Sequence, residues 1–166
     1  MINNDEFEHF INETLDLSGD IALSYFREIR DLTLKGDLSP VTKADEDIEK
    51  FIRTKISEKY PNHKIIGEEL ADFDGSENVT WYIDPIDGTR SFVAGKHDFG
   101  TLIAIVNNGE LIGGVIDCPA LGERWTSFGK NKTKVNKKIV KCKAVDNLKD
   151  AVMATTSSHE FGMKKW

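Results

Sequence analysis

Cysteine is scarce in this chain. Cys118 and Cys142 are two thiols among 166 residues, too few for the disulfide framework that props up small secreted domains. The histidines His9, His63, His97 and His159 are scattered, and no Cys/His spacing points to zinc. No D-x-D-x-D-G run is present, which excludes a calcium-loop module. No apolar run approaches the ~20 residues of a transmembrane helix, so no membrane partner is expected. The acidic N-terminus lacks a positive region followed by an apolar one; no signal peptide is predicted, and a cytoplasmic protein is expected. Positive charge is also short: 22 Lys and Arg against 28 Asp and Glu leave a net charge of −6, which argues against nucleic acid as the main partner. The exception is Lys130 to Lys143, with seven lysines and no acid. It reads as a solvated strand-and-turn face, with phosphate steering the lesser alternative.

What is present is an ordinary globular composition, 39% hydrophobic and 30% charged, long enough to bury a real core. Phe7, Phe10, Ile11, Leu15, Ala22, Leu23 and Phe26 recur at near-helical spacing and predict one amphipathic helix from about Asn4 to Asp31, with Gly19 a candidate kink. A loop follows and is ended by Pro40. Thr42 then caps a second helix, about Lys43 to Lys59, with Asp45 in the capping-box position. This helix is expected to bury Ile48, Phe51, Ile52 and Ile56. His63 to Ile66, Trp81 to Ile83 and the apolar run Phe99 to Val106 read as strands, the last buried on both faces. Asn107-Asn108-Gly109-Glu110 is a hairpin signal. Strand signals continue from Leu111 through the lysine-rich stretch. The fold class is therefore α+β, two N-terminal helices packed on a mainly antiparallel sheet.

Chemistry concentrates in Trp81-Tyr82-Ile83-Asp84-Pro85-Ile86-Asp87-Gly88-Thr89-Arg90-Ser91-Phe92. An apolar run ends at an acidic turn in which Pro85 fixes the backbone between Asp84 and Asp87. Gly88 permits an unusual backbone angle or a close ligand approach. Thr89 falls where a helix would begin, with its amide free for an anion. Two carboxylates held together repel unless cations lie between them, and Mg²⁺ takes oxygen ligands that it shares with phosphate. Asp-Pro and Asp-Gly are also plain turn chemistry. Gly67-Glu68-Glu69, at the end of another apolar pair, tips the balance, because two strand ends then each deliver carboxylates. His63 belongs at the far end of its strand and reads as structural.

IGEE followed by WYIDPIDGTRSF resembles the inositol monophosphatase family of Mg²⁺-dependent, lithium-sensitive phosphatases. Lys35 to Asp45 resembles the family's upstream motif, and FGTLIAIV with GGVIDCPALGERW is similar to its histidinol-phosphate phosphatase branch. The resemblance runs from about Phe7 to Ser158. It implies the first half of a layered αβαβα sandwich, with residues 1–146 a metal- and phosphate-binding domain and 147–166 the start of a second α/β domain.

The resemblance further implies that Glu68, Asp84, Asp87 and the Ile86 carbonyl hold Mg²⁺, two or three ions in a complete site. Phosphate would rest on the Gly88 and Thr89 amides beside Asp87. Glu68 and Thr89 would orient and deprotonate the attacking water, with Asp45 an outer carboxylate. Glu69 and Lys35 would stand just outside the ligands. The expected partner is a small phosphorylated substrate, histidinol phosphate first and inositol-1-phosphate or a related sugar phosphate second, acted on by a homodimer. The family's further metal-binding Asp lies in a Trp-Asp-x-x-Ala motif that this sequence does not contain. A catalytically incomplete fragment or remnant, binding metal or dimerising only, therefore stays open.

Overall fold

The computed structural model describes residues 4–28, 32–34, 40–129 and 132–152. Helix α1, Asn4–Tyr25, and helix α2, Lys43–Lys59, pack side by side on one face of a sheet of seven strands. The strands are β3, Lys64–Gly67; β4, Val79–Asp87; β5, Gly100–Asn107; β6, Glu110–Cys118; β7, Glu123–Phe128; β8, Thr133–Val135; and β9, Lys138–Ile139. They lie in chain order, and every pairing is antiparallel except β3 with β4. Helix α3, Thr89–Val93, links β4 to β5. Strands β1, Leu32–Leu34, and β2, Pro40–Thr42, form a separate antiparallel pair. This is the α+β arrangement that the periodicities predict.

The core lies between the helix pair and the sheet. Ile48, Ile52 and Ile56 repeat every fourth residue on α2 and are fully buried, as are Ile11 and Leu15 on α1. They meet Trp81, Ile83, Ile103, Ile105 and Val115 from alternate positions of β4, β5 and β6. Phe7 and Phe10 set their rings edge-on against Trp81, at 5.7 and 5.9 Å. Trp81 Nε1 donates to His63 Nδ1 at 2.9 Å. His63 is thus a buried structural histidine at the N-terminal end of its strand, stacked on Tyr60. The Asn108-Gly109 hairpin has both residues at positive φ, 49° and 80°, the geometry of a two-residue primed turn.

Two expectations need correction, the end of α1 and the turn at Asp84 to Asp87. Helix α1 ends at Tyr25 rather than near Asp31, because Arg27 takes a left-handed φ of 68° that no α-helix can continue. Gly19 marks a close approach, since a Cβ there would stand 3.3 Å from the Pro119 Cβ. The segment from Asp84 to Asp87 is not a turn that ends a strand; β4 runs through it. Of the segment expected to begin a second domain, Leu148–Asp150 forms one 3₁₀ turn, and residues 153–166 lie outside the described residues.

Ile52→Ala should lower unfolding free energy by about 2–5 kcal/mol, the usual effect of emptying a fully buried site. Leu111→Ala, at a side chain 69% exposed, should change it by less than ~0.5 kcal/mol. Urea unfolding of the two variants checks both.

Candidate active site

Parallel pairing makes β3 and β4 end at the same edge of the sheet. Their register sets Gly67 opposite Ile83, so the residues that follow, Glu68 and Asp84, come out as neighbours. Beyond Asp84 the ladder to β5 slips: Asp84 pairs with Leu102 and Asp87 with Gly100. Three steps on β4 thus span two on β5, a one-residue bulge at Pro85-Ile86. Proline is tolerated there because it has no N–H to give the ladder. The bulge resets the alternation. Pro85 and Ile86 are both buried, while Asp84 and Asp87 fall on the face that the helices leave open. Buried Thr101 fixes the bulge from β5, its hydroxyl donating to the Pro85 carbonyl at 2.8 Å.

Gly88 follows at φ 83° and caps α3; a Cβ there would approach the Asp98 carbonyl oxygen to 2.9 Å. Only glycine fits that turn without strain. Thr89 opens α3, with its Oγ1 2.9 Å from the Ile86 carbonyl oxygen and 3.4 Å from Asp45 Oδ1. Asp45 is nearly fully buried, at 1% exposure. Its Oδ2 accepts the Thr42 amide at 2.8 Å and the Thr42 hydroxyl at 2.5 Å, closing the capping box expected at the start of α2. The cap and the site thus share one carboxylate.

Asp84 is the electrostatic focus. Burial, then the charges of Glu68 and Asp87, a hydrogen bond with Glu68 and the charge of Asp45 push its carboxyl up to about 7. Its Oδ1 is buried with no hydrogen-bond partner among the described residues, a rare condition for a native polar atom. Glu68 and Asp84 line an open groove of about 320 Å³ with Ile66, Tyr82 and Leu102. A larger cavity of about 490 Å³, between α1 and β7, is lined by Asp16, Asp117 and Arg124 and by none of these acids.

The structure brings Glu68, Asp84, Asp87, Asp45, Ile86, Gly88 and Thr89 to one sheet end. Glu69 follows Glu68, its amide held by Glu49 at 2.7 Å. Lys35 lies outside the described residues. Three residues escaped the sequence reading. Thr101 sits in an apolar strand, and Glu49 with Arg53 has the i, i+4 spacing of an ordinary surface ion pair. Among the described residues, no group of three or more His, Cys, Asp or Glu side chains already stands in position to hold a metal. The fit to a hard cation lies in the donors: an orphaned buried carboxylate oxygen, adjacent acids and a carbonyl, all oxygen.

A profile of the inositol monophosphatase family matches residues 3–163. The chain belongs to that family. A chloroplastic bifunctional phosphatase, IMPL2, of Arabidopsis thaliana is 40% identical over 159 residues, covering 95% of this chain and 46% of that protein. A histidinol-phosphatase of Chlorobaculum parvum is 41% identical over 114 residues, covering 68% of this chain and 44% of the other. The solved inositol monophosphatase of Zymomonas mobilis superposes with a TM-score of 0.72 at 32% identity, over 87% of this chain and 56% of that one. The chain spans about half the length of the curated relatives it matches.

The raised carboxyl gives a signed expectation. A folded-state value near 7 against an ordinary 3.8 means that the folded chain binds the Asp84 proton more tightly than the unfolded chain does. Stability should therefore fall as pH rises from 4 to 7 in chelator. Asp84→Asn should flatten that slope and raise Tm at pH 8 by a few degrees, each 1 kcal/mol being worth ~2–4 °C at this size. Thermal melts in EDTA across pH 4–8 check it, and a wild-type Tm that climbs in step with the variant's would contradict it. Gly88→Ala should cost about 1–3 kcal/mol through left-handed strain and the Asp98 contact, read by urea unfolding.

Proposed function

We propose that the chain carries the metal- and phosphate-binding part of a Mg²⁺-dependent phosphomonoesterase. The observation that carries the reading is the orphaned Asp84 Oδ1, buried among the acids Glu68, Asp87 and Asp45. Crowding of this kind is costly without a cation, and perturbed carboxyls of this kind cluster at functional sites. In this reading Glu68, Asp84, Asp87 and the Ile86 carbonyl hold Mg²⁺. Bound there, the ion supplies Lewis acidity and charge neutralisation to a phosphoryl group. The Gly88 and Thr89 amides donate to a phosphate oxygen at the turn into α3. Glu68 accepts a proton from the attacking water, and the Thr89 hydroxyl, held between Ile86 and Asp45, orients it. Glu69, beside Glu68, shapes the surroundings.

The favoured substrate is histidinol phosphate, supported by the identity to the histidinol-phosphatase of C. parvum. Inositol-1-phosphate is the second reading, favoured by the structural likeness to the Z. mobilis enzyme. In this reading residues 1–146 are the binding domain, and the chain acts as a homodimer. Cys118 and Cys142 are free thiols, in keeping with a cytoplasmic setting. Among the described residues, no helix is long and apolar enough to cross a membrane.

Phosphate release from the two substrates, with Mg²⁺ and with chelator, tests the proposal. Release should need Mg²⁺, and Asp84→Asn should reduce it by more than the ~10–100-fold typical of changes outside the ligand sphere. Release that survives chelation would sink the metal mechanism. Mg²⁺ binding without release would reduce the chain to the binding half of a site.

A further inference from the structure

The backbone that presents Glu68 is gripped from the α2 side by a charge pair. Glu49 is fully buried, at 0% exposure. Its Oε1 accepts Arg53 Nε at 2.7 Å and the Leu70 amide at 3.2 Å, and its Oε2 accepts the Glu69 amide at 2.7 Å. Arg53 completes the grip, donating to the Leu70 and Ala71 carbonyls, each at 3.0 Å. Residues 69 to 71 are therefore fastened to α2 through both their donors and their acceptors. On the other side of Glu68, a Cβ at Gly67 would run into the Glu49 carboxylate and come within 2.8 Å of the Arg53 guanidinium.

From this geometry we infer that Glu49 and Arg53 are positioning residues for Glu68. The inference rests on the metal reading given above. The charges of Glu68 and Asp87 both bear on Asp84, and ionising all three would push the loop after β3 away from β4. Hydrogen bonds to a charged, desolvated carboxylate are the strong kind and hold the loop against it. A buried ion pair is weak evidence for a purely stabilising role, since apolar residues of equal volume commonly serve as well. What the pair does that they could not is fix four consecutive peptide groups beside a ligand. Gly67 is the steric counterpart, as any side chain there would displace the carboxylate that does the holding.

The test uses the 166-residue chain, with Glu49→Gln, with Arg53→Lys in case the first fails to fold, and with Ile52→Val as a variant that loosens the same helix without touching the loop. Amide exchange at Glu69 and Leu70, measured in chelator, reads the grip alone. Mn²⁺ affinity, measured by electron paramagnetic resonance of the free ion, reads its consequence. Glu49→Gln and Arg53→Lys should exchange those two amides at least ~10-fold faster than Ile52→Val and bind Mn²⁺ ~10–100-fold more weakly, the range for groups that orient ligands. Ile52→Val should lower Tm and leave the affinity unchanged. Wild-type Mn²⁺ binding that all three variants share would overturn the positioning role and leave the metal site standing. Failure of the wild type to bind Mn²⁺ would overturn the metal reading, and the positioning role with it.

Discussion

Everything at this site depends on one pairing, the parallel run of β3 beside β4 with Gly67 facing Ile83. Antiparallel strands would have sent the two sets of carboxylates to opposite ends of the sheet. The parallel pair brings them to one end, where Glu68 hydrogen-bonds with Asp84 and its charge raises the cost of ionising Asp84. The connection from β3 to β4, residues 68 to 78, has no helix; Phe73 bridges back to Ile65 along the way. That leaves a carboxylate-bearing loop that needs anchoring from another element, and α2 supplies the anchor.

Stability and chemistry are divided along β4. Its first half is locked by Trp81, which packs against Phe7 and Phe10 and donates to His63. Its second half carries buried charge and a broken ladder. The locked half offsets the strained half, and the Thr101 hydroxyl steadies the junction between them. Such a division is expected where a rigid scaffold must hold groups that would rather separate.

The helices and most strands were legible because their periods are strong. The bounds Lys43–Lys59 for α2 came directly from Thr42, Asp45 and the isoleucine repeat. The end of α1 was not legible: the apolar stripe continues to Phe26, and the left-handed step at Arg27 leaves no trace in residue type. The acids of the site could be named from their spacing and from the family resemblance. Their geometry could not, because Asp-Pro reads as a turn whether the strand ends there or bulges. Glu49 stayed hidden because burial, the property that sets it apart from a surface pair, is a property of packing.

The bulge at Pro85-Ile86 has a consequence for how this segment tolerates change in length. Because it shifts the alternation by one, loss of either residue would restore an even ladder and leave Asp87 on the same open face as Asp84, two steps along the strand instead of three. The extra residue therefore sets the spacing of the two acids and not their common face, and it seats Pro85 and Ile86 side by side in the core between them.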